Sequence, residues 1–297
     1  MSAQEPQSFA ELTIEAAANE LDVLEDHQGA AELRALIASR STDEAATTEV
    51  SRSRAGFAWK HKSAALAYIL GDRTFASPAD LEPQTDLIGA RINLKLDGFH
   101  IVNYPGLGDH EIAVRWGVRH HVADPDDHEN VTFTQRFEVR DKGASAHSGH
   151  PIFLGLKVAP AGIGFTLDVT YLKNKTAERF LSFLKSPAIE SGLEMIAQAN
   201  PAIGAVTAMA QGAVESLLRS NDGRLIHPKV YVGLDFQSAP TGIRMAEGSY
   251  VVAQTPTQSL DWSKWRLADG GDIVPAREGS EETFPYNYYL LRVERSA

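Results

Sequence analysis

The hydrophobic pattern at the start of the chain has helical spacing. Ser8 and Glu11 form a capping-box pattern, which predicts a helix over about 9–26. Gly29 is a residue that can end this helix, and apolar positions after it predict a short second helix around 33–37.

Two further features complete a helical N-terminal region over residues 1–85. The stretch SAALAYIL, Ser63–Leu70, is predicted to be a third helix that stops before Gly71. Residues 41–53 are small and polar without apolar periodicity, so we expect a mobile linker there.

From about residue 90 the period changes to two. EIAVRWGVRHHV and VTFTQRFEVR alternate apolar and polar residues, which predicts two strands of an antiparallel hairpin. Similar segments continue to the C-terminus, so 86–297 is predicted to be a mainly antiparallel β-sandwich in an α+β protein. The succession of strands resembles C2-type or jelly-roll-like sandwiches, an architecture that carries many different functions.

A helical segment over 176–219 interrupts the strands. Asn200 and Pro201 supply an N-cap and a first helical residue, so the segment is predicted to be an inserted helical hairpin. No residue between Glu194 and Glu215 is charged, which makes insertion into a membrane an alternative. Polar amides and alanine-rich turns favour packing on the sandwich or on a partner.

The amino-acid composition limits the classes of partner and the cellular location that we expect for the protein. Hydrophobic residues make up 43% and charged residues 23%, as in folded globular chains. The net charge of -11 argues against nucleic-acid binding, which needs a surplus of Lys and Arg. The absence of cysteine excludes disulfides and thiolate ligands, and the polar start does not match a secretory signal. We therefore expect a cytoplasmic protein with no specific nucleic-acid partner.

The peptide RHHVADPDDHEN at 119–130 is the strongest candidate for chemistry. His121 and His128 flank the same turn, and Asp124 and Asp126 lie between them, so these four side chains are a candidate zinc or calcium site. The spacing does not match an EF-hand, and a loop rich in Asp and Pro is typical of a surface turn. The favoured interpretation is a solvated turn with no cofactor, and the metal site is the alternative.

Four arginines are predicted to share the outer face of the same hairpin. Alternation places Arg115, Arg119, Arg136 and Arg140 on the face opposite to the apolar residues. A positive patch on an acidic protein is a candidate surface for an acidic partner or anionic headgroups. A salt-bridged face in solvent is an equally strong alternative.

Aromatic residues gather near the C-terminus. Tyr288 and Tyr289 point to opposite faces of a predicted strand, which we expect to be covered by sheet on one side and by a helix or partner on the other. Trp262 and Trp265 are expected to pack in a core, and a carbohydrate-binding platform is the alternative.

No complete catalytic signature occurs in the chain. The favoured function is a non-enzymatic protein-interaction or assembly module, with a protein partner or self-assembly. One alternative is a metal-dependent enzyme or metal-binding sandwich using the 119–130 loop. The other is a membrane-active protein that inserts the 176–219 hairpin.

Overall fold

The computed structural model describes residues 8–42, 57–105, 109–121, 128–172, 224–236 and 243–296. Two α-helices come first, α1 at Ile14–Val23 and α2 at His27–Thr42. The strands that follow are β1 Ser63–Ile69, β2 Phe75–Ala76, β3 Arg91–Ile101, β4 Asp109–His121, β5 His128–Arg140, β6 Gly143–Lys157, β7 Ile163–Leu172, β8 Arg224–Asp235, β9 Ile243–Arg244, β10 Gly248–Thr255, β11 Trp265–Leu267, β12 Ile273–Pro275 and β13 Tyr288–Arg295.

The strands form two main sheets that enclose one hydrophobic core. The first sheet has the order β2-β1-β10-β13-β3-β6, and the second has the order β5-β4-β7-β8-β9. Side chains of both sheets meet in this core; for example, the rings of Phe99 on β3 and Phe137 on β5 have centroids 4.9 Å apart. The predicted, mainly antiparallel β-sandwich is confirmed.

The β4–β5 hairpin forms as predicted and has the predicted inner face. Trp116 lies opposite Phe133, and His121 lies opposite His128 at the end of the ladder. Ile112, Val114 and Trp116 are buried, as expected because alternate side chains of a strand share a face.

The first helix begins later than predicted. Ser8 caps a 3-10 turn at Phe9–Glu11, and the α-helix starts after Thr13, whose hydroxyl accepts a hydrogen bond from the backbone. Gly29 lies inside α2 instead of ending a helix, since the carboxylate of Asp26 accepts a hydrogen bond from its amide at 3.0 Å. The Thr13 side chain therefore sets the start of α1 within the first predicted helix, and the Asp26 side chain sets the start of α2 before Gly29.

The helix predicted at Ser63–Leu70 is wrong. This stretch is β1, which pairs antiparallel with β10 so that Ala65 lies opposite Ala253. Ala65 and Ala67 are fully buried against aromatic rings of a second core cluster, where small side chains fit. Sheet pairing and packing outweigh the helix propensity of alanine here.

The terminal strand β13 is covered on both faces. Tyr289 belongs to the core between the sheets, and Tyr288 belongs to the second cluster, which includes residues of the β11–β12 ribbon. Trp262 and Trp265 are only 9% and 8% exposed in that cluster, so the packing interpretation is confirmed. Residues of this chain supply the cover, in place of the helix or partner that was predicted.

Two predicted segments fall outside the described residues. These are the helical hairpin at 176–219 and the linker from residue 43 onward. Within the described part of the chain, no helix has the length and apolar character needed to cross a bilayer. β1 and β2, which precede residue 86, are strands of the six-stranded sheet.

Candidate functional site

At one end of each sheet, a two-residue strand leaves part of the next strand unpaired along an open edge. β1 pairs with β10 along its whole length, but β2 lies beside it at Tyr68 and Ile69 alone. β8 pairs with β7, and β9 lies beside it at Leu234 and Asp235 alone. Within the described ranges, the edges at 63–67 and 226–233 therefore have no neighbouring strand.

The backbone of β8 directs hydrogen-bonding groups toward its open edge. The amide of Met245 donates to the carbonyl oxygen of Asp235 at 2.8 Å, so that carbonyl points to the side away from β7. Alternate residues of an antiparallel strand point their backbone groups to the same side. Tyr231 and Gly233 therefore present an amide and a carbonyl at the open edge.

A cleft of about 700 Å³ lies between the two open edges. Leu66, Val230 and Ile243 line it and also pack against the main core, which gives the cleft an apolar floor. On one side, the amide of Arg244 donates to the carbonyl oxygen of Pro78 at 3.0 Å and connects β9 to the chain after β2.

The opposite end of the cleft is held by a buried glutamine. Gln254 donates from Nε2 to the carbonyl oxygen of His61 at 2.8 Å and lies 3.3 Å from the carbonyl oxygen of Ile226. This amide therefore joins the beginning of β1 to the beginning of β8. Lys62 and Lys229 follow these two carbonyls closely in sequence, so both lysines belong to the same end of the cleft.

The cleft is cationic although the protein is acidic. Lys62 and Lys229 both line it, and no Asp or Glu is among the described residues of its lining. The side chain of Lys62 is 59% exposed and lies 3.8 Å from Glu11, a distance typical of a weak surface pair.

Tyr231 adds an exposed aromatic ring beside the cleft. The residue is 63% exposed, and its ring lies along the sheet over two glycines. A Cβ atom at Gly164 would lie 2.5 Å from the Tyr231 hydroxyl oxygen, so a side chain at that position would displace the ring. An exposed tyrosine beside open backbone groups is a common feature of binding surfaces.

The structure places Arg115 in an ion pair with a buried carboxylate. Its Nε donates to Oδ2 of Asp168 on the neighbouring strand β7 at 2.8 Å. The Asp168 side chain is 2% exposed, and burial raises the pKa of this carboxyl while Arg115 opposes the rise.

The other predicted arginines share the outer face of β4–β5, as expected from the alternation. Arg136 pairs with Glu111, and Arg140 donates two hydrogen bonds to Asp109 at 2.6 and 2.9 Å. Arg119 is exposed, and within the described residues it makes no ion pair. Three of the four arginines thus have carboxylate partners within the protein, and binding of an acidic partner by this face stays a prediction.

Of the four predicted metal ligands, the structure places two opposite each other in the backbone ladder. His121 and His128 form the last pair of the β4–β5 ladder, whereas Asp124 and Asp126 lie outside the described residues. Among the side chains that the structure describes, no group of three could hold a metal ion. The zinc or calcium site stays a prediction.

A buried polar cluster was missed by the sequence analysis. His110 Nε2 lies 2.9 Å from Oδ1 of Asp141, which also accepts from the amide of Tyr104. The hydroxyls of Tyr104 and Tyr289 are 3.3 Å apart. Alternation does place His110 on the inner face, so the sequence contained a signal for it. Because these groups are enclosed in the core, we assign them to stability.

Comparisons with known proteins do not identify a family. No protein-family model and no curated protein matches the chain. A solved structure described as "CC2D1B coordinates ESRCT-III activity during the mitotic reformation of the nuclear envelope" gives a TM-score of 0.26 and 11% sequence identity, over 94% of this chain and 81% of that chain. A similarity of this size does not establish a shared activity, so the function must be argued from the cleft itself.

Proposed function

We propose that the protein is a non-enzymatic interaction module that binds a segment of a protein partner in the cleft between β1 and β8. The supporting observation is the pair of open strand edges on either side of one cleft. Open edges offer rows of backbone donors and acceptors, to which an extended peptide can add as a further strand. The apolar floor supplies a place for alternate side chains of that peptide.

The open edge of β8 also carries features that limit unwanted pairing. The β7–β8 register shifts between Val230 and His227, and Pro228 and Lys229 lie within that irregular stretch. Bulges, prolines and lysines on edge strands hinder long edge-to-edge pairing. Among the described residues, the regular part of the edge, near Tyr231 and Gly233, has no neighbouring strand, so a short segment can pair with it. We therefore favour a partner peptide over self-assembly.

A protein partner suits the composition better than a nucleic acid. The net charge of -11 repels a phosphate backbone over most of the surface. The cysteine-free composition supports a cytoplasmic location for this interaction, which is part of the proposal.

Peptide selection followed by an edge-blocking substitution tests this function. Peptides selected from a random displayed library on the full chain are measured for binding to the wild type, to Tyr231→Pro and to Tyr231→Ala. Proline removes the edge amide as well as the side chain, whereas alanine removes the side chain alone. We expect the proline variant to bind about tenfold more weakly than the alanine variant.

Folding of both variants is checked by thermal unfolding and circular dichroism. Proline is tolerated on an edge strand when the amide faces away from the sheet, so we expect both variants to fold. Selected peptides that bind the folded proline and alanine variants equally well would refute binding at this edge.

A further inference from the structure

The charges of the cleft lie at one end and its apolar residues extend to the other. Gln254 joins the carbonyls of His61 and Ile226, which fixes Lys62 and Lys229 near that end. Ile243 lines the cleft beside the connection between Arg244 and Pro78, at the far end. A bound segment therefore meets positive charge first and apolar side chains after it.

The length of the open edge limits the size of this segment. From Lys229 to Gly233 a strand extends about 13 Å, at roughly 3.3 Å per residue. An added strand of about four to six residues covers that distance, which is an ordinary strand length. Its side chains alternate between the cleft floor and solvent.

We infer that the ligand is an extended acidic peptide, in which Asp or Glu residues at one end of a short strand pair with Lys62 and Lys229. Its backbone adds to the edge of β8 at Tyr231 and Gly233, and its apolar residues contact the floor formed by Leu66, Val230 and Ile243. The inference rests on the proposed function and adds the chemistry of the partner.

Charge complementarity carries this inference. The described lining holds two lysines and no carboxylate, in a chain with a net charge of -11, while Glu11 lies 3.8 Å from Lys62 and Asp168 interacts electrostatically with Lys229 from outside the lining. An acidic protein repels acidic segments over most of its surface, so a local cationic cleft can guide such a segment to one place. A basic peptide would be attracted by the negative net charge of the protein, but Lys62 and Lys229 would repel it at the cleft.

Four labelled hexapeptides test the inference on the full chain by fluorescence anisotropy. One has two Glu residues followed by alternating Val and Thr, and the second is the same sequence reversed, so no strand direction is assumed. The other two carry Lys in place of Glu. We expect at least one acidic peptide to bind about tenfold more tightly than its basic counterpart, and less tightly as salt is raised.

A charge-reversal variant provides the decisive comparison. Lys62→Glu combined with Lys229→Glu should reverse the preference, so that the basic peptide binds more tightly. Lys264→Glu is the matched control because Lys264 is an exposed lysine that is not in the cleft lining, and it should keep the wild-type preference.

Several results would overturn the inference. These are equal affinity for acidic and basic peptides, an unchanged preference in the double variant, or no binding of either acidic peptide at millimolar concentration. Lysine-dependent binding to phosphatidylserine vesicles without peptide binding would assign the cleft to a lipid surface instead. If library-selected peptides lacking acidic residues bind in a way that Tyr231→Pro abolishes, the inference fails and the proposed function stands. If no peptide is sensitive to Tyr231→Pro, the proposed function fails as well.

Discussion

Three tyrosine side chains, Tyr104, Tyr171 and Tyr289, are buried in the core of the sandwich. Tyr104 and Tyr289 share a hydrogen bond, and Tyr171 donates to the carboxylate of Asp26 at 2.6 Å. Burial raises the pKa of all three tyrosines, and the Asp26 carboxylate raises that of Tyr171 further. The folded state therefore keeps these groups neutral at a pH where an unfolded chain ionises them.

Stability is expected to fall in the alkaline range. Each raised pKa contributes stability that is present below the usual tyrosine value of about 10.0 and is lost as the pH rises toward the folded-state pKa. Urea unfolding at a series of alkaline pH values should show a decreasing free energy of unfolding, together with tyrosinate absorbance that appears on unfolding. Tyr289→Phe should make the free energy of unfolding fall less steeply with pH above pH 10. A free energy of unfolding that stays constant through that range in the wild type would contradict the prediction.

Single residues differ in how far the sequence reveals their roles. His110 could be recognised as an inner-face residue from the alternation of β4, but its partner Asp141 lies beyond the end of β5 and is fixed by the hairpin turn. Asp26 could be read as a polar residue between helices. Its contact with Tyr171 depends on how α2 docks on the sandwich, which no local pattern specifies.

Strands were predicted well where one face is buried and the other polar. β4 and β5 satisfy this condition, since a slip by one residue would expose Trp116 and its neighbours. β1 does not, because its alanines are compatible with helix and strand alike. Ala65 and Ala67 face the second core cluster, while Leu66 contacts the main core, so both faces are apolar. Such a strand lacks the alternation by which strands are recognised.

The ladder between β4 and β7 contains an ion pair whose loss should be costly. Arg115→Ala leaves Asp168 buried without its hydrogen-bonded cation, with only the weaker electrostatic effect of Lys229, and we expect the free energy of unfolding to fall by about 2–3 kcal/mol near neutral pH. Arg140→Ala is the matched control, because its side chain is 72% exposed, and it should lower the free energy of unfolding much less than Arg115→Ala does.

The penalty of Arg115→Ala should also depend on pH. Without Arg115 the pKa of Asp168 rises further, and a raised carboxyl pKa means that ionisation near neutral pH disfavours the folded state. The difference between variant and wild type should therefore shrink as the pH falls and the carboxyl becomes protonated. Urea unfolding at neutral and acidic pH measures this difference. Equal losses of unfolding free energy in the Arg115 and Arg140 variants would contradict the predicted role of the ion pair.

At the scale of the whole molecule, the class of fold follows from the sequence but the cleft does not. Strand alternation predicts a sandwich, since two half-buried sheets must cover each other. Which strands lie at the edges depends on sheet order, and β1 and β8 are far apart in sequence. Lys229 and Tyr231 therefore look like ordinary outward-facing residues of a strand. Only the folded structure shows that they line the same cleft as Lys62.

Open edges of this kind must be protected from pairing between copies of the chain. Lys62 and Lys229 place positive charge beside both edges, so two copies repel each other where their edges would meet. We expect the wild type to show no concentration-dependent association through these edges. The double variant Lys62→Val, Lys229→Val should associate, because it removes the repulsion and adds residues that favour strands. Sedimentation velocity over a range of concentrations measures this, with Lys264→Val as the control of equal charge change per site. If the double variant sediments like the wild type at every concentration, the lysines do not protect the edges. Ligand binding is then the one role that we propose for their charge.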